Sequence, residues 1–228
     1  MGSTTEPAAA RAADDSESPM LPLPDRTKPG VTDKRLLRGA RTRGTVLKRA
    51  IDIASLEGLD NVTFGRLATD TGLSKAGIQT LFKSKEALQL AAVELAREMF
   101  IDAVIRPAAS APEGLARLRA LLDHWADYAT TPLFAGGCFR VANLADFDSR
   151  TGPVRDALLR DQREWRRTLE AEIRNAVAAG EIAEVDVDLT VFQLDALLCA
   201  ANIGVQAGES DAVSKVRRII DGLLAPPR

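Results

Sequence analysis

FGRLATDTGLSKAGIQTLFK, residues 64–83, reads as two short helices and a tight corner. Phe64, Leu67 and Ala68 fall on one face of the first helix at i, i+3, i+4 spacing. Thr63 precedes it as an N-cap, its hydroxyl placed to accept from an early backbone amide. Gly72 ends it, because a residue without Cβ takes the left-handed conformation that a sharp corner needs. Ser74 caps the next helix, whose apolar positions Ile78, Leu81 and Phe82 keep the same spacing. Two caps, one corner glycine and two apolar faces make a helix-turn-helix. The second helix turns Ser74, Lys75, Ala76, Gly77, Gln79 and Thr80 outward, all small or hydrogen-bonding. A helix entering a major groove needs such a thin, polar face. Gly77 costs about 1 kcal/mol relative to alanine inside a helix, a cost that close approach to another surface would justify. The competing reading is a helical hairpin that packs and turns a polar face to water.

Charge around this motif favours the nucleic-acid reading. Val31–Leu88 holds eleven Lys/Arg against six Asp/Glu, whereas everything from Gln89 onward holds sixteen against twenty-one. The net charge of −2 therefore conceals a basic head on an acidic body, as suits phosphates met at one end only.

Upstream, residues 1–30 are rich in Ala, Pro, Ser, Thr and Asp without apolar periodicity, and are expected to be a disordered tail. Met20 lies within it, so translation from Met1 or from Met20 stays open. Lys34, Arg35, Arg38, Arg41 and Arg43 then form a basic arm, read either as a solvated linker or as a phosphate-tracking segment. A first helix is predicted from about Arg43 to Glu57, with Val46, Leu47, Ala50, Ile51 and Ala54 as its buried stripe. After the motif, Ser84-Lys85-Glu86 opens a fourth helix through about Ile101. Its N-terminus and Lys85 face where a phosphate would lie, and its far end enters the body.

Downstream, helices are predicted at Gly114–Tyr128, at Cys138–Ala145, from Pro153 to Gly180, from Asp186 to Gly208 and at Asp211–Leu224. No segment pairs alternating apolar residues with turn chemistry, so the expected class is all-α. The expected division is a tail at 1–30, a DNA-binding head at 31–88 and a helical body at 89–228.

Composition excludes other classes. No uninterrupted apolar run approaches the ~20 residues of a membrane span, and no basic-then-apolar leader opens the chain, so a cytoplasmic protein with no membrane partner is expected. Two cysteines, Cys138 and Cys199, suit a reducing compartment. With one histidine besides, they cannot build a closed Cys/His zinc site, and no catalytic residues, metal or cofactor are expected. Glu164, Glu170 and Glu172 sit among arginines and read as a solvated face. A helical enzyme is the rival from another class; it would need a nucleophile with its base, or paired carboxylates in a cleft.

The run from Thr63 to Ala96, TFGRLATDTGLSKAGIQTLFKSKEALQLAAVELA, resembles the DNA-binding domain of the TetR family of one-component bacterial repressors over roughly Arg41 to Leu95. Thr63, Ala68, Gly72, Leu73, Ser74, Phe82, Ser84, Lys85 and Glu86 carry that resemblance. The segment GGCFRVANLADFDSRTGPVRD, residues 136–156, resembles the C-terminal domain of one subgroup. One departure stands out: Gln79 and Leu81 occupy positions where the family usually has tyrosine and often has histidine.

The resemblance implies a homodimeric repressor of double-stranded operator DNA, paired through helices 153–179 and 186–207 and released by a small-molecule effector held in the body. Ala196, Ala200, Ala201 and Gly204, interleaved with Leu197, Leu198 and Ile203, would allow close helix approach. Residues expected at DNA are Arg43, Thr63, Ser74, Lys75, Ala76, Gly77, Gln79, Thr80, Lys83 and Lys85. Those expected at the effector are Trp125, Tyr128, Phe134, Cys138, Phe139, Asn143, Phe147, Gln162, Trp165 and Asn202: apolar walls with a few polar anchors. The alternative is a DNA-binding dimer with no ligand, which a solid body core would favour. A repressor is the reading taken, with repressor versus activator left open by the sequence.

Overall fold

The computed structural model describes residues 34–131 and 133–226, which form helices joined by turns and loops, with no strand among them. The expected tail at 1–30 and the alternative start at Met20 lie outside the described residues.

The head has four helices. Helix α1, Lys34–Glu57, begins well before the position expected from periodicity. KRLLRGARTR contains no proline, and its Leu, Arg and Lys favour helix enough to carry Gly39 and Gly44. Within 34–43 the basic arm is therefore a rigid extension of α1 rather than a separate strand of chain. Gly58, at φ 87°, ends α1, and a 3-10 turn at Leu59–Asn61 follows that periodicity did not reveal. Helices α2, Phe64–Thr71, and α3, Lys75–Phe82, carry the predicted caps: Thr63 accepts from the Arg66 amide and Ser74 from the Gly77 amide. Gly72 makes the corner at φ 69°. Val46, Ala50, Ile53, Leu67, Ile78 and Leu88 are fully buried between these helices and α4, Lys85–Phe100, which starts at the Ser84 cap.

Beyond Phe100 the rod continues through a π turn, Ile101–Ile105, and ends in α5, Arg106–Ala108. The body then comprises α6, Leu115–Thr130; α7, Phe139–Phe147; α8, Pro153–Ala178; α9, Val187–Gln206; and α10, Ala212–Leu223. Helix α8 is its centre and packs on α4, α6, α7 and α9. Trp125, Trp165, Leu118, Leu121, Leu169 and Ile173 are buried in this core, each worth about 1.5–3 kcal/mol of transfer free energy.

One expectation needs correction. Glu172 is not solvated: only 2% exposed, it accepts from the Gly114 amide at 2.8 Å and faces Arg117 at 3.6 Å. Helix α9 is apolar over much of its length, interrupted by Asp188 and Asp195, and packs between α8 and α10. Its outward side carries Leu189, Phe192, Ala196, Ala200 and Ile203 at helical spacing, with Phe192 58% and Ile203 62% exposed.

Candidate functional site

The outward face of α3 is laid out as its sequence implies. Ser74, Lys75, Ala76, Gly77, Gln79 and Thr80 are exposed, while Ile78 and Phe82 point into the head. Thr63, Lys75, Gln79 and Lys85 meet around one groove with Phe64 and Gly65. The Lys85 ammonium donates to the Asp60 carbonyl at 2.7 Å, which holds its charge at the groove edge. Arg43 turns inward instead. Its guanidinium lies 4.4 Å from the Phe82 ring centroid and donates to the Leu81 carbonyl at 3.2 Å, bracing α3 against α1. A Cβ on Gly77 would come within 3.0 Å of the Ser74 hydroxyl oxygen, so the cap itself already favours glycine there. Lys83 has φ 61° and ψ −48°, and the Ser84 amide donates across it to the Phe82 carbonyl at 2.7 Å. That is a γ-turn of the rare, strained hand, and it swings α4 away from α3.

A polar seam joins head and body. The Asn143 side chain, fully buried, accepts from the Leu59 amide at 2.8 Å and donates to the Ala54 carbonyl at 3.2 Å. Gln89 donates to the Leu59 carbonyl at 2.9 Å, tying α4 to the same turn. The Gly136 amide donates to the Ser55 hydroxyl at 3.0 Å. No side chain fits at 136, since a Cβ there would lie 2.1 Å from the Ser55 carbonyl oxygen.

Next to this seam lies a partly open cavity of about 40 Å³. Its walls come from α4 and the π turn (Ala96, Arg97, Phe100, Ile101), from Tyr128 on α6, from Cys138, Phe139 and Arg140 at the start of α7, and from Asp161, Glu164 and Trp165 on α8. Phe100 stands edge-on to Tyr128 at 5.3 Å and to Trp165 at 5.4 Å. Arg97 is shared between Asp161 at 3.4 Å and Glu164 at 2.9 Å. Burial pushes the Asp161 carboxyl up to about 7, against the pull of Arg97 and Arg160.

Of the ten residues expected at an effector, Tyr128, Cys138, Phe139 and Trp165 line this cavity. Phe134 packs behind Tyr128 at 5.8 Å. The other five serve elsewhere. Trp125 faces a separate cleft of about 200 Å³ between α6, α9 and α10. Asn143 belongs to the seam, and Asn202 accepts from the Cys138 amide at 2.8 Å, fixing the loop. Phe147 lies under Arg150 at 4.3 Å, and Gln162 donates to Asp195 at 3.3 Å. Phe100, Arg97 and Asp161 are not among the residues expected at a site, and Glu164 reads in the sequence as part of a solvated face. Asp161 and Glu164 share an i, i+3 face, but nothing local says that Arg97, more than sixty residues away, meets them.

Residues 114–220 match the family model described as "Tetracyclin repressor-like, C-terminal domain". The TetR transcriptional regulator from Chloroflexus aurantiacus is 27% identical and superposes with a TM-score of 0.70, over 81% of this chain and 96% of that one. The body carries the TetR-type C-terminal domain, and the whole chain has the TetR fold, a helix-turn-helix head on a helical body. That is the fold of DNA-binding transcriptional regulators. Two further TetR-like structures share the fold at lower identity. A putative regulator from Saccharomonospora viridis in complex with choline is 21% identical, with a TM-score of 0.70, covering 80% of this chain and 95% of that one. AibR in complex with isovaleryl coenzyme A and operator DNA is 18% identical, with a TM-score of 0.66, covering 82% and 99%. No curated protein matches the sequence.

Proposed function

We propose that this TetR-family chain is a homodimeric one-component repressor, released from a pseudo-palindromic operator when a small molecule binds its body. The head at 31–88 holds DNA and the body at 89–228 holds effector and partner. The observation carrying this reading is the continuity of groove, seam and cavity: α4 begins at Lys85 beside α3 and ends at Phe100 in the cavity wall. Lys75, Ala76, Gly77, Gln79 and Thr80 meet the major groove, and Thr63, Ser74, Lys83 and Lys85 meet phosphates. Arg43 contributes by holding α3 in place.

A second copy covers the apolar stripe of α9. Two-fold pairing sets the recognition helices about 34–36 Å apart, one turn of B-DNA. Solved relatives that carry choline or isovaleryl coenzyme A support a small-molecule effector as the kind of partner. An effector that prefers the off-DNA spacing of the heads by about 1–3 kcal/mol gives ordinary induction.

One observation favours a ligand-independent dimer instead: the cavity is small, with room for a few waters. Selection of genomic fragments by the purified protein, followed by a metabolite screen for release of the selected operator, separates the two. Binding that no metabolite weakens leaves the ligand-independent dimer; failure to select any fragment removes both.

A further inference from the structure

We infer that the body cavity is shaped for a small organic ammonium, with its N–H group at Asp161 and its apolar body against Phe100, Tyr128, Phe139 and Trp165. This rests on the effector reading above and names the chemical class of that effector.

An unmet hydrogen bond in the wall points to this class. Asp161 Oδ1 is buried without a hydrogen-bond donor; Arg97 Nε approaches it only to 3.4 Å and Arg160 to 4.0 Å. An N–H donor brought by a ligand completes it.

The charges around the cavity argue against an anion. On α4, Arg97 already faces Glu94 at 3.8 Å, Asp161 and Glu164. On α7, Arg140 faces the buried Asp195 at 3.5 Å, and on α8 Arg160 faces Glu94 at 3.2 Å. Each of these cations already has a carboxylate partner, whereas an ammonium adds the donor that Asp161 lacks. The four aromatic rings supply the apolar wall against which the ligand's hydrocarbon body packs. Entry fits as well: the Arg97, Asp161 and Glu164 side chains, 14–24% exposed, reach solvent, so a polar head at Asp161 stays near the mouth. The widened π turn begins at Ile101, beside Phe100, in the same wall, as such turns often do at ligand sites.

The test uses three probes of one size: isobutylamine, isobutanol and isobutyrate. The full-length chain carries two tryptophans, so Trp125→Phe leaves Trp165 as the sole indole reporter. At pH 8 the amine is expected to shift Trp165 emission with at least tenfold higher affinity than the alcohol. Asp161→Asn should bring the amine down to the alcohol's affinity, and Asp161→Glu, which keeps the charge, should retain the preference. An alcohol or carboxylate that binds as well as the amine overturns the ammonium class and leaves the cavity as the effector site. Silence from all three at tens of millimolar overturns the inference altogether, while the operator-release screen decides the effector reading on its own.

Discussion

At the scale of single residues, the head offers two separable measurements. Gln79 is exposed on α3 where the resemblance leads one to expect an aromatic hydroxyl. Its amide can pair with adenine N6 and N7 or bond to a phosphate. Gln79→Ala should lower affinity by about 1–3 kcal/mol for operators carrying one particular base and leave others unchanged. A uniform loss across an operator library would assign the side chain to the backbone instead. Lys83 holds a strained γ-turn that glycine adopts more readily. Lys83→Gly should therefore raise unfolding free energy by about 1 kcal/mol in urea titrations. It should also flatten the salt dependence of operator binding by about one phosphate. Losing stability on that change would mean that the lysine side chain, rather than its backbone, holds the α3–α4 joint.

At the scale of elements, what was legible in the sequence follows from how local the causes are. Caps at Thr63, Ser74, Ser84 and Asp186 bond amides three residues away, so the starts of α2, α3, α4 and α9 could be read directly. The start of α1 could not: Lys34–Arg43 has helix formers without an apolar stripe, and periodicity is silent where apolar residues do not recur. The π turn and the 3-10 turn are set by packing between distant helices, which leaves no local mark. Asn143 shows the same limit from the other side. As a polar residue beside aromatics it reads as a ligand anchor, yet its partners Leu59 and Ala54 lie more than eighty residues upstream. Asn143→Ala strands a buried amide and a buried carbonyl and should cost about 2–4 kcal/mol in chemical denaturation. A loss below 0.5 kcal/mol would show that water replaces the seam.

At the scale of the whole molecule, pairing and acidity make their own predictions. The exposed stripe on α9 contributes little to a lone chain, so Phe192→Glu should leave monomer stability within about 0.5 kcal/mol. The same change sets like charges against each other across a two-fold axis and should give monomers in sedimentation velocity, with operator affinity reduced at least tenfold. Dimers that persist would move the interface off α9. Asp161 carries a proton more tightly in the native state than its ordinary 3.8 allows, chiefly because it is buried. Its contribution is favourable below about pH 4 and is lost as pH rises through about 7. Asp161→Asn should thus gain on the wild type between pH 4 and pH 8, by as much as about 4 kcal/mol less whatever Arg97 forfeits. Parallel stability curves would contradict the shift. The abutment of Gly136 on Ser55 has a consequence for protein engineering: recombining this reader with a foreign sensor requires a host loop that presents bare backbone at the join, and a chimera that ignores this clearance starts with its two halves wedged apart.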